Sequence, residues 1–170
     1  MKKDNLKGAL KDIDRLRKLG ELSTEDSYRV SEQPKLVSSF YDAVTSLYEF
    51  GWGSTFHFSP RRPGENLKSS QRRQDHEIAK LLALGPGMEV ADVGCGVGGP
   101  LVNIATSTGS RIVGINFNRH QIQRGTERVR RAGLSETCSF LYADYMKVPL
   151  KEDTFDALYS IEAICHAPNR

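Results

Sequence analysis

What the chain lacks narrows its class first. Its three cysteines, Cys95, Cys138 and Cys165, contain no Cys-x-x-Cys pair and stand too far apart for a disulfide framework, so neither a stapled secreted scaffold nor a thiolate zinc site is implied. A reducing compartment follows. No run approaches the ~20 apolar residues of a membrane-spanning helix, and the opening Met1-Lys2-Lys3-Asp4-Asn5 is without the apolar core of a signal peptide. An excess of one charge is missing too: 24 Lys and Arg against 21 Asp and Glu leave +3, far from the polybasic surface of a nucleic-acid binder. The local basic clusters Arg61, Arg62, Lys68, Arg72, Arg73 and Arg124, Arg128, Arg130, Arg131 read as solvated helix faces. There is no internal repeat or low-complexity tract, and 170 residues with 38% hydrophobic content make one core the default.

The pattern along the chain changes once. Residues 6–20 place Leu6, Leu10, Ile13 and Leu16 at helical spacing before Gly20, and 21–34 reads as a polar linker closed by Pro34. A second helix is predicted over 35–50, with Val37, Phe40, Tyr41, Val44, Leu47 and Tyr48 on one stripe, broken by Gly51-Trp52-Gly53. After a loop at Pro60, Pro63 and Gly64, Asn66 caps a helix running to about Leu84, with Ile78, Leu81 and Leu82 facing inward. From Gly85-Pro86-Gly87 onward short apolar strands alternate with helices: strands at 89–93, 111–115, 139–142 and 155–161, helices at 100–107 and 119–132. This is the pattern of a parallel α/β sheet, Rossmann-like and incomplete at about four strands, preceded by N-terminal helices. The expected division is 1–34, an N-terminal helix and linker; 35–84, an aromatic-rich helical segment on the substrate side; and 85–170, the start of the ligand-binding sheet domain. A sheet with its fourth strand at an open edge, exposing Leu158, Tyr159 and Ile161, leads us to expect a truncated chain, marginally stable or self-associating.

The chemistry concentrates in Val90-Ala91-Asp92-Val93-Gly94-Cys95-Gly96-Val97-Gly98-Gly99-Pro100, where the first strand turns into a helix. Glycines there let a ligand approach the backbone. Gly94, Gly96 and Gly99 match the dinucleotide fingerprint, a weak signal by itself. Charge separates the ligands: a pyrophosphate wants a helix N-terminus, whereas S-adenosylmethionine brings an ammonium and a sulfonium, and Asp92 suits a cation. Asp92 as a cap of nearby loop amides is the plainer alternative. The second strand ends on Asn116, a neutral residue where an acidic one usually grips ribose hydroxyls, yet one that can still pair with a hydroxyl. Asp144, after the third strand, is placed either to accept from an adenine amino group or to serve as a surface-turn aspartate.

Several separated strings resemble the sterol 24-C-methyltransferases, a family of class I methyltransferases. They are Tyr48-Glu49-Phe50-Gly51-Trp52-Gly53-Ser54-Thr55-Phe56-His57-Phe58, the glycine loop from Asp92 to Pro100, Gly114-Ile115-Asn116, and Ser160-Ile161-Glu162-Ala163-Ile164-Cys165-His166-Ala167-Pro168. The resemblance covers about 40–168; the first and last strings are specific to that family, the glycine loop belongs to methyltransferases at large, and the family continues for roughly as long again.

The resemblance implies S-adenosylmethionine as cofactor, held by Asp92, Gly94, Cys95, Gly96, Gly98, Gly99, Asn116, Gln121 and Asp144, with no metal. It implies a sterol substrate with a side-chain double bond, methylated at C24 through a carbocation that undergoes a hydride shift and loses a proton. Tyr48, Glu49, His57, Glu162 and His166 are the implied catalytic residues; Phe50, Trp52, Phe56 and Cys165 the implied substrate contacts. Aromatic faces attract a cation by ~1–2 kcal/mol each when desolvated, and a base near neutral pKa means His57, His166 or Glu162; Glu162 and His166 would meet if their segment turns helically. Phe50 and Phe56 fit equally as packing between helix and sheet, whereas Tyr48, Glu49 and Trp52 read as functional. The resemblance further implies a peripheral location on the cytoplasmic face of the endoplasmic reticulum or on lipid droplets, with room for a homo-oligomer and no nucleic-acid partner. A noncatalytic S-adenosylmethionine- or sterol-binding fragment and an NAD-dependent oxidoreductase are the competing readings.

Overall fold

The computed structural model describes Thr45, Gly53 and residues 55–166, with the side chain of His166 excepted. Apart from Thr45, which is helical, the helices expected at 6–20 and 35–50, together with Tyr48, Glu49, Phe50 and Trp52, lie outside the described residues.

Helix α1 (Leu67–Leu81) starts where Asn66 accepts from Ser69 N and ends because Ala83 takes a left-handed φ of 49°. Leu84 N then turns back to Ala79 O, so the helix stops short of 84. Its inward face is the expected apolar stripe only in part: Ile78 and Leu82 pack against the core. The buried residues are Ser70, Gln71, Asp75 and Ala79, while Leu81 is 85% exposed. Apolar periodicity misplaced Leu81 because much of what α1 packs against is polar backbone, which calls for polar side chains.

β1 (Glu89–Val93), α2 (Gly99–Thr108), β2 (Arg111–Asn116), α3 (Arg119–Arg131), β3 (Cys138–Tyr142) and β4 (Ala157–Tyr159) follow, with 3-10 turns at Tyr145–Lys147 and Ile164–His166. The four strands are parallel in the order β3-β2-β1-β4. Strand alternation sorts the core: Val90, Ile112, Cys138 and Tyr159 face Leu101, Ile104, Val129 and Ala79. The opposite face holds the smaller cluster of Ala91, Ile115 and Ala143, flanked by Tyr145, Val148 and Phe155. Two right-handed crossovers, β1-α2-β2 and β2-α3-β3, put both helices on one face.

β4 is shorter than expected. Phe155 leaves the ladder to pack against the second cluster, and Asp156 accepts from Glu89 N through its side chain at 2.8 Å, anchoring the strand's start. Leu158 is exposed as expected, but Tyr159 is buried against the helices. The two alternate in facing, so only one of them belongs to the open surface.

Candidate functional site

The chain steps from β1 to β2 and β3 on one side and places β4 on the other, so the strand order reverses at the carboxyl end of β1, where open α/β sheets bind their ligands. A cavity of about 410 Å³ opens there, within the ~300–1,000 Å³ of small-molecule sites. Asp92 and the glycine loop form one wall. The amides of Gly94 and Cys95 both donate to Ile115 O, which turns the loop back over β2.

Gly94, Gly96 and Gly98 have φ of 74°, 54° and 72°, yet they need glycine for different reasons. A Cβ on Gly94 would stand 2.2 Å from Ala163 Cβ, whereas one on Gly96 would meet nothing within 4 Å. Gly96 thus leaves its backbone open to a ligand. At Gly98 the obstacle is the Phe140 ring, 2.9 Å from a Cβ placed there. Asp92, Gly94, Cys95 and Gly96 line the cavity; Gly98 and Gly99 are buried behind it, at the cap and first turn of α2. Both shape the loop from behind the cavity. The Cys95 thiol is pushed well above its ordinary value, chiefly by burial and then by the charge of Asp92, so it is an inert packing group.

Asp92 is 3% exposed, and its Oδ2 has no hydrogen-bond partner among the described residues. Burial pushes its carboxyl up to about 7. Tyr159 and the charge of His57 pull it down and the charge of Asp75 raises it further, although Tyr159 Oη makes no well-formed hydrogen bond either. The plainer alternative, a cap of loop amides, would have engaged this oxygen. A buried acceptor without a donor beside an open cavity fits the cationic end of S-adenosylmethionine.

Asn116 bonds within the protein. Its Nδ2 donates to Gly96 O at 3.2 Å and to Gln121 Oε1 at 2.9 Å, while its Oδ1 accepts from Asn118 N. Asn116 thus tethers the loop to α3 and also lines the cavity, where its Oδ1 can still pair with a hydroxyl. Gln121 also lines the cavity, and its Nε2 reaches Thr45 Oγ1 at 3.3 Å. Asp144 lies outside the cavity lining, and its Oδ1 caps the following turn by accepting from Met146 N at 2.9 Å. That is the surface-turn alternative.

The other wall comes from the segment 55–60, which lies along α1 as a strap. Phe56, His57 and Phe58 line the cavity opposite Ile161, Glu162, Ala163 and Cys165. Glu162 Oε1 accepts from Phe58 N at 3.0 Å across the opening. The buried His57 places Nε2 3.1 Å from Asp75 Oδ1 and Nδ1 3.1 Å from Phe58 O. Both ring nitrogens face acceptors, an arrangement that favours the doubly protonated ring. Burial lowers its pKa, but the bonds to Asp75 and Phe58 O with the charges of Asp75 and Glu162 outweigh it and leave it raised. Glu162 has a left-handed φ of 53°, and only a short 3-10 turn follows at Ile164–His166, so the backbone does not run helically from Glu162 to His166.

Four functional neighbours were not read from the sequence. Asp75 and Asn103 join the strap to α2. Arg128, expected on a solvated face, donates to Val97 O of the glycine loop. Asn118 caps α3 by accepting from Gln121 N at 2.8 Å, a contact signalled by Asn-x-x-Gln before a helix. Asp75 carried no local signal at all.

A parallel sheet with reversed strand order, a positive-φ glycine loop after its first strand and an acidic residue buried beneath that loop make a Rossmann-like ligand-binding fold. A family model described as mycolic acid cyclopropane synthetase matches residues 29–170, and the chain belongs to that family. Within it the resemblance to sterol 24-C-methyltransferases holds. The chain is 46% identical over 167 residues to cycloartenol-C-24-methyltransferase 1 of Oryza sativa subsp. japonica, covering 98% of this chain and 48% of the relative. It is 49% identical over 141 residues to cycloartenol-C-24-methyltransferase of Arabidopsis thaliana, covering 83% and 42%. Among solved structures it is similar to the [4+2]-cyclase SpnF, with a TM-score of 0.68 and 27% identity over 74% of this chain and 47% of that one. The chain spans about half the length, or less, of the curated relatives named here.

Proposed function

We propose that the chain carries the cofactor-binding part of an S-adenosylmethionine-dependent methyltransferase acting at C24 of a sterol side chain. The observation that carries this reading is Asp92: a buried carboxyl oxygen without a partner, beside a loop left open at Gly96. The similarity to cycloartenol methyltransferases supplies the acceptor class. When bound, S-adenosylmethionine supplies an electrophilic methyl group on a sulfonium. Asp92 meets the cofactor's positive charge, Gly96 admits it to backbone contact, and Asn116 and Gln121 keep the loop in shape.

Phe56 and Ile161 offer apolar contact to a sterol side chain, and the ring of Phe56 favours positive charge developing near it. Tyr48, Glu49, Phe50 and Trp52 extend that wall in this reading, with 35–84 as the substrate side and 85–170 as the cofactor side. With both His57 nitrogens engaged, the proton of the final step goes to Glu162 or His166. No helix among the described residues is long and apolar enough to cross a membrane. Peripheral attachment to the endoplasmic reticulum or lipid droplets, where sterols partition, belongs to the same reading, as does a homo-oligomer.

Calorimetric titration with S-adenosylmethionine and with NAD, followed by transfer of a labelled methyl group to cycloartenol, tests it. We expect heat with the methyl donor alone and label in the sterol. Donor binding without transfer would favour a noncatalytic binding chain, and NAD binding without donor binding would overturn the assignment in favour of an oxidoreductase.

A further inference from the structure

The strap is seated by more than it needs for attachment. Gln71 Nε2 donates to Thr55 O at 2.9 Å and His57 O at 2.8 Å, Ser59 Oγ donates to Ser70 O at 2.8 Å, and Arg73 donates to Pro60 O at 2.6 Å. These bonds already engage the carbonyls of Thr55, His57 and Pro60. Beneath them runs a second, deeper line. Asp75 on α1 is fully buried; its Oδ1 meets His57 Nε2, and its Oδ2 accepts from Asn103 Nδ2 at 2.7 Å. Asn103 stands on α2, the helix that begins in the glycine loop. One carboxylate therefore joins three pieces: the strap, the helix beneath it and the helix that carries the loop.

A carboxylate buried this deeply stabilises a fold no better than a well-packed apolar side chain of similar volume. Its contribution is geometric. We propose that Asp75 is a positioning residue: by holding His57 and Asn103 together it fixes the strap over the cavity relative to the glycine loop, so that strap order and cavity occupancy rise and fall together. The proposal deepens the reading of the cavity as an S-adenosylmethionine site and rests on it for the occupant.

The link has a pH signature. His57 is faced by Asp75 from α1, Asp92 from β1 and Glu162 from the segment after β4, with the Phe58 carbonyl on its other nitrogen. A histidine whose pKa is raised in the folded chain contributes full stability below its unfolded value and loses it as pH rises through the folded one. Strap order should therefore weaken with rising pH, beginning near ~6.5.

Amide hydrogen exchange of residues 55–59 across pH 5.5 to 9 (roughly the histidine range), with and without S-adenosylmethionine, tests the link in wild type, Asp75→Asn, Asp75→Glu and His57→Gln. In wild type we expect protection that falls with pH and rises on adding the methyl donor. Asp75→Asn should move the fall to lower pH, abolish the donor-induced protection and weaken donor affinity about tenfold; Asp75→Glu should restore most of it. If Asp75→Asn fails to fold, His57→Gln, which keeps Asp75 bonded to Asn103, should reproduce the lost coupling. A folded Asp75→Asn or His57→Gln chain with wild-type protection and an unchanged pH profile overturns the proposal. Wild type that binds the donor in calorimetry without gaining strap protection overturns the coupling; wild type that binds no donor overturns the cofactor reading, while the pH profile of ligand-free wild type against the variants still decides the role of Asp75.

Discussion

The two walls of the cavity are built by opposite means. The glycine loop is held by its own backbone: positive φ at three glycines and amides returned to Ile115 O, with side chains serving as outer ties. The strap has no regular secondary structure, and the side chains of Gln71, Arg73 and Asp75 on α1 hold it in place, with the Ser70 carbonyl accepting from the Ser59 hydroxyl. A wall made of backbone fails as a unit when one residue cannot adopt its conformation. A wall pinned by side chains loosens one pin at a time.

Substitutions sharpen that contrast, beginning with the most damaging. Gly94→Val adds a side chain at a φ of 74° and 2.2 Å from Ala163 Cβ, so we expect a loss of about 3–5 kcal/mol in thermal or denaturant unfolding together with loss of ligand binding. A Gly94→Val chain of wild-type stability would break the distinction drawn here.

Asp92→Asn separates binding from folding. Because the carboxyl is raised from its ordinary 3.8 to about 7, the folded chain keeps a proton that the unfolded chain has released, and stability falls as pH rises through that window. The asparagine variant lacks this slope and should be more stable above pH 7 by roughly 1–3 kcal/mol, while donor affinity drops on the order of a hundredfold. In wild type, affinity for the cationic donor should climb with pH through about 7, with proton release visible as buffer-dependent heat in calorimetry.

Gln71→Leu is the mildest of the three. It leaves the Thr55 and His57 carbonyls without their donor, at about 1–3 kcal/mol. The cost should appear as faster exchange or proteolysis at 55–60 while protection of β1 and β2 stays as in wild type. Loss of protection throughout the sheet would mean that the strap is part of the same cooperative unit as the loop.

The same contrast explains what could be read beforehand. The sheet, its order of elements and the loop were legible because the signals are local: apolar strands, Gly94-Cys95-Gly96, and Asn66 ahead of its helix. Asp75 was not, since nothing in Arg72-Arg73-Gln74-Asp75-His76 announces a partner 18 residues earlier and another 28 residues later. Asn116 was placed correctly at the end of β2, but its engaged amide depends on Gln121 and on the loop folding back. Leu81 misled for the converse reason: periodicity assumes apolar neighbours, and α1 buries polar ones.

The Phe140 ring has a consequence for how this sequence can drift. Cβ atoms placed on Gly98, Gly114 and Gly125 would each come within 3.0 Å of it, from a loop, a strand and a helix. None of the three glycines is therefore an independent site. An alanine tolerated at Gly125 presupposes a smaller residue at 140, and a smaller residue at 140 leaves a void until one of the glycines grows to fill it. Inheritance at these four positions is epistatic: single steps in either order pass through a less stable chain, so the aromatic ring and its three glycines are expected to persist or change as one set.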